Sequence, residues 1–208
     1  MTKTNSMIKK GETLIEVIAA LSCIVLAGLA AVTVSIQVMS TTATSKEFLI
    51  AQNLAREAVE GVVNIRDTNW LLFPANKDEC WLIRDSSECN VAKAVKENTS
   101  YILKRDAKGQ NILEEKADMT LDIPEGEQPD DDDLKFLLYV DSNNIYTHEV
   151  PATKATPYPF PDFYRMITFS KISADADTMQ INVKVQWMHK GSMPKTYELS
   201  SVITNYAK

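Results

Sequence analysis

Between Glu16 and Lys46 the chain carries no charged residue, an interval of 29 positions. A helix needs roughly 20 apolar residues to cross the hydrocarbon core of a bilayer. The centre of the run, Val17-Ile18-Ala19-Ala20-Leu21 through Leu29-Ala30-Ala31-Val32, is almost wholly aliphatic. It predicts a single membrane span over about 14–39. Lys3, Lys9 and Lys10 precede it without an acid among them. That asymmetry places the N-terminus on the cytoplasmic side and everything after Met39 on the far side.

Glu16 does not fit a plain anchor. A carboxylate inside a spanning helix costs about 2.5–3.5 kcal/mol at the centre and less toward the edge. A conventional signal peptide has a purely apolar middle. A cut near Ala30 or Ala31 by an ordinary signal peptidase leaves Glu16 unexplained. A lipoprotein signal needs Leu three residues before its cysteine, and Cys23 has Ala20 there. Cys23 reads as a small apolar packing residue. An acid in this position calls for a positive partner, and its own helix offers none within reach.

The segment Lys9-Lys10-Gly11-Glu12-Thr13-Leu14-Ile15-Glu16-Val17 resembles the prepilin leader of type IV pilins and pseudopilins. In that family a short basic leader ends in Gly, and a residue that is usually Phe precedes Thr-Leu-Ile-Glu-Val. The resemblance implies cleavage between Gly11 and Glu12 by a membrane prepilin peptidase, then N-methylation of Glu12. It implies that Glu16 meets the terminal amine of a neighbouring subunit during assembly. It also implies as partners the same or related pilins in a filament, an assembly platform with its ATPase, and membrane lipid beforehand. The location implied is the inner membrane with the head outside, then an extracellular pilus. This chain departs from the family at Glu12. Loss of Lys3, Lys9 and Lys10 with the leader takes the formal charge from −6 to −9.

Helical periodicity continues past the apolar run. Phe48, Ala51, Leu54, Ala55, Ala58, Val59, Val62 and Ile65 recur at three- and four-residue spacing, with Lys46, Glu47, Gln52, Arg56, Glu57 and Glu60 mostly opposite. A helix over 12–70 would be on the order of 80 Å long, too long for one domain to bury. Gly28, in its apolar part, is a soft point. The stretch from Leu54 to Trp70 also resembles the helix end of pilin-like proteins from candidate-phylum bacteria, and Pro74 closes it.

The remaining residues, 71–208, predict a β-rich extracytoplasmic head. Met179, Ile181, Val183, Val185 and Trp187 alternate with polar residues, the period of a strand with one buried face. Further strands are expected at 101–104, 135–140, 145–148, 163–172 and 195–203, with turns at 141–144 and 189–194. The expected fold class is α+β: a long N-terminal helix, half transmembrane and half amphipathic, packed on an antiparallel sheet.

Cys80 and Cys89 close a loop that would stabilise the head by about 2–3 kcal/mol if oxidised. A redox motif prefers a two-residue gap and zinc needs more ligands. A structural disulfide is the expectation, with free thiols the alternative. Asp130, Asp131, Asp132 and Asp133 form an acidic run, ordinarily a solvated face. Some pseudopilins bind calcium in their heads, so these are the calcium candidates the resemblance suggests. The run at 141–145 fails the EF-hand pattern, and Asn98-Thr99-Ser100 is a formal glycosylation sequon.

The acid excess, 28 Asp and Glu against 22 Lys and Arg, argues against nucleic-acid binding through overall charge. No nucleotide loop, nucleophile elbow, zinc-protease helix or dinucleotide fingerprint occurs. His148 and His189 are expected in a hairpin and a turn, facing solvent. The expectation is a structural protein with no catalytic residue and no cofactor: a pilus subunit, a minor pilin or a type II secretion pseudopilin. A single-span anchored binding domain is the rival from another class.

Overall fold

The computed structural model describes residues 8–117, 119–141, 145–149, 162–172, 177–189 and 193–206, with side chains from Leu14 onward. Lys3, residues 142–144 and 190–192 of the two expected turns, and residues 151–161 lie outside the described residues. Helix α1 runs Ile8–Leu72, unbroken across Gly28. The chain divides into two compact units, Met1–Lys46 and Glu47–Lys208.

The described part of the first unit is helix. It is long and apolar enough to cross a membrane, which is the property of a span or of a signal sequence. Its hydroxyls bond back to the helix itself. Ser22 Oγ donates to the Ile18 carbonyl at 2.8 Å, Ser35 to Ala31 at 2.8 Å, and Thr42 to Val38 at 2.8 Å. Such bonds hide polar atoms from an apolar surrounding, which a spanning helix requires.

The second unit is α+β. Its sheet contains β1 (Ser100–Arg105), β2 (Asn111–Lys116), β3 (Leu137–Val140), β4 (Tyr146–Thr147), β5 (Phe163–Lys171), β6 (Thr178–His189) and β7 (Met193–Thr204), all paired antiparallel. Strand β6 pairs with β5 along the whole length of β5, from Phe163↔Trp187 to Lys171↔Met179. Two other strands must therefore share the opposite edge of β5. Strand β1 takes it at Tyr101↔Ile167 and Ser100↔Thr168, and β3 takes it at Leu137↔Tyr164 and Leu138↔Phe163. Between these short pairings, at Arg165 and Met166, the sheet forks.

The C-terminal part of α1 lies on one face of this sheet. Ala51, Leu54, Ala55, Ala58, Val62 and Ile65 are buried against Phe163, Ile167, Phe169, Ile181, Val183, Val185 and Trp187. The helix stripe and the alternate strand residues are those their periodicities predict. Small residues on the helix let it approach closely. At Gly61 an added methyl would stand 2.4 Å from Leu103 Cδ2, so a larger residue fits only if the Leu103 side chain shifts, a constraint of space rather than of backbone angle. The opposite face is covered by Leu121, Ile123 and Phe136, which pack with Ile102, Tyr164 and Met188.

Cys80, the last residue of α2 (Lys77–Cys80), is disulfide-bonded to Cys89 with Cα atoms 5.5 Å apart. The enclosed Trp81, Leu82 and Ile83 are buried. Asn69 of α1 donates to the Trp81 and Ile83 carbonyls and accepts from the Ser86 hydroxyl. This buried amide fastens the loop to the helix end.

Two local expectations need correction, and one strand, β2, was not among the expectations. The segment 135–140 is a strand only from Leu137, because Asp133–Phe136 forms a 3-10 turn. Strand β2 has no clean alternation, since only Leu113 is buried and the residues after it, Glu114, Glu115 and Lys116, are charged. In the turn that joins it to β1, Asp106 Oδ1 accepts from the Lys108 and Gln110 amides and Gly109 has φ +79°. His148 and His189 are buried rather than solvent-facing.

Gly61→Ala would improve helix propensity by about 1 kcal/mol, while forcing apart a packed contact costs about 1–3 kcal/mol. The expected result is a lower melting temperature by circular dichroism of the detergent-solubilised chain. A higher one would mean that Leu103 yields freely.

Candidate functional site

Considered by itself, the N-terminal unit has an unusual surface. Every described side chain from 14 to 43 is exposed, including Ile15 at 70% and Leu26 at 66%. An apolar surface of this extent is not stable in water and marks a lipid or protein contact. Glu16 lies on it, exposed, with no hydrogen bond or ion pair to another described residue. The backbone of Gly11 and Glu12 is helical, within α1. Cys23 is exposed with a free thiol.

The head contains a second charged group in an apolar setting, one the sequence reading did not single out. Arg165 is 1% exposed and sits in the row Phe163, Ile167, Phe169 that faces α1. Its Nη1 donates to the Leu54 carbonyl and to Glu57 Oε2, both at 3.1 Å. Burial pushes its pKa down and the Glu57 carboxylate opposes that shift. An arginine keeps its proton regardless. Its Nε has no hydrogen-bond partner among the described residues. The signal that could have revealed it is parity: position 165 falls on the apolar side of an alternating strand.

His148 and His189 are held in different ways. His148 Nδ1 lies 3.1 Å from the Leu137 carbonyl, so this nitrogen carries the proton, and Nε2 has no partner among the described residues. Burial, aided by the positive charges of Arg165, Lys104 and Lys116, holds its pKa well below 6.5 despite the bond to Leu137. His189 Nδ1 is 2.7 Å from Glu47 Oε2, which also accepts from Trp187 Nε1 at 3.1 Å. A carboxylate only accepts, so both ring nitrogens donate. These bonds fix the start of the packed part of α1 to the end of β6.

The acidic run folds onto its own backbone. Asp130 Oδ1 accepts from the Asp132 and Asp133 amides at 2.9 and 2.8 Å. The buried Asp133 carboxylate accepts from the Asp122 and Asp130 amides. Asp131 and Asp132 are exposed. Among the described residues no group of three or more His, Cys, Asp or Glu is arranged to hold a metal ion. Asn98 is exposed with φ +52°, while the Ser100 hydroxyl of the same sequon donates to the Met119 carbonyl at 2.6 Å.

The buried neutral His148 makes stability depend on pH in one direction. Its pKa is depressed on folding, so the unfolded chain binds the proton more readily. The contribution is complete above about pH 6.5 and declines as pH falls toward the folded value. The melting temperature should therefore drop between pH 7 and 5, and less so in His148→Leu. Glu115, held low first by the Lys96 hydrogen bond, acts only in more acid solution. Equal slopes for the two proteins would contradict this assignment.

Comparison with protein-family models, with curated proteins and with solved structures finds no match to the chain. The topology itself is pilin-like: a long N-terminal helix, apolar in its first part, with its later part on an antiparallel sheet.

Proposed function

We propose that this chain is a structural, non-enzymatic subunit of a type IV pilus or pilus-like filament. The observation that carries the reading is an exposed aliphatic helix surface bearing one carboxylate, Glu16, without a partner among the described residues. The apolar surface supplies cohesion when it packs against other copies or related pilins. The charge supplies register, because its pairing is strongest where water is absent.

In this reading the chain is inserted in the inner membrane and cut between Gly11 and Glu12 by a prepilin peptidase. Methylation follows at Glu12. Platform proteins and an ATPase then draw the subunit into the fibre, and Glu16 meets the amine of an adjoining subunit. The head becomes the outer surface, tied by the Cys80–Cys89 bridge where thiols are oxidised. Minor pilins and secretion pseudopilins share this pathway, and abundance in sheared surface fibres separates a main subunit from either.

Glu16→Ala should insert into membranes normally but yield no filaments in sheared fractions viewed by electron microscopy. Normal filaments from that variant would refute the role of Glu16. Mass spectrometry of the wild-type protein should give a methylated chain starting at Glu12. A start near Ala31, or an intact leader on a permanently monomeric protein, would favour an anchored binding domain instead.

A further inference from the structure

The fork in the sheet leaves a cleft of about 400 Å³ in the head, within the small-molecule range of about 300–1,000 Å³. It arises where β1 and β3 separate along the shared edge of β5, and Arg165 lines it at the point of separation. We propose that this cleft binds a neutral saccharide. The proposal concerns the head alone and stands whether or not the chain forms filaments.

The lining decides the class of ligand. Lys104, Arg105 and Arg165 contribute three positive charges, and Glu57, Asp141 and Glu149 three negative ones. A free anion would meet the carboxylates and a free cation the basic groups, so neither is favoured. A wholly apolar ligand would strip water from the solvated charged groups, Arg105 and Glu149 above all, and return no hydrogen bond. A sugar avoids both penalties. Each hydroxyl donates as well as accepts, so adjacent hydroxyls can bridge a carboxylate and a guanidinium without a change of charge.

Individual side chains fit this use. Arg165 is held by Glu57 at 3.1 Å and Lys104 is paired with Glu114, so part of the wall is pre-positioned. The side chains of Arg105 and Glu149, both exposed, make no ion pair or hydrogen bond with another described residue, leaving a planar donor and a planar acceptor for ligand. The Asn111 amide, bonded at 3.1 Å to Asn64 Oδ1, adds a polar group on the β2 side. Leu103, Ile145 and Tyr146 provide apolar surface for the C–H face of a pyranose.

The test is saturation-transfer NMR on the full chain, in a detergent lacking a sugar headgroup. The probes are D-glucose, D-galactose and N-acetyl-D-glucosamine, with acetate and inorganic phosphate as anion controls. At least one sugar should show transfer, and Arg105→Ala and Glu149→Ala should each weaken it about tenfold in Kd. Both positions are exposed, and unchanged melting curves would establish that the variants fold. No transfer to any of the three sugars, transfer unaffected by both substitutions, or binding of only acetate or phosphate would each overturn the proposal.

Discussion

The head depends on how closely the amphipathic part of α1 approaches the sheet. Leu54, Val62 and Ile65 supply apolar area, but Ala51, Ala55, Ala58 and Gly61 set the distance. A larger residue at Gly61 would meet Leu103, which is joined through the β1–β2 register to Leu113. Interior packing transmits such a displacement rather than absorbing it. The same closeness brings Glu57 and the Leu54 carbonyl within reach of Arg165, and Glu47 within reach of His189. The polar fastenings are therefore consequences of a tight apolar seam.

Those fastenings divide the work by position. The Glu47 carboxylate holds β6 at one end of the packed helix segment, and Arg165 holds β5 further along. At the far end Arg66 lies over the rings of Trp70 and Tyr206, while Trp70 Nε1 donates to Asn205 Oδ1. A hydrophobic seam resists separation but tolerates sliding. Directional bonds at three points along the helix oppose that sliding, so they contribute to specificity as much as to stability.

The long elements were legible because their periods are regular. The helix face from Ala51 to Ile65 and the alternation in β5 and β6 each follow from one repeating pattern. Glu16 was equally visible, as the one acid inside an apolar run. Strand β2 escaped because Lys104 and Lys116 pair with Glu114, and Arg84 and Lys96 with Glu115, so its charges mask a single inward Leu113. The histidines escaped for another reason. His148 is buried through a contact with Leu137, and His189 through a contact with Glu47, 142 positions away. No local window contains such partners. The cleft was likewise hidden, since it exists only where two incomplete pairings meet on one strand.

The uneven use of β5 has a consequence for variation within this fold. One side of the strand is committed along its full length to β6, where any shift of register would turn core residues outward. The other side is occupied by two hairpin arms that each grip it by only two residues. Beyond the residues that pack in the core, such as Leu103, Leu113 and Leu138, either arm can lengthen, shorten or change its tip without disturbing the helix seam. Natural diversity in such a head should therefore accumulate on the divided side, while the undivided side stays constant.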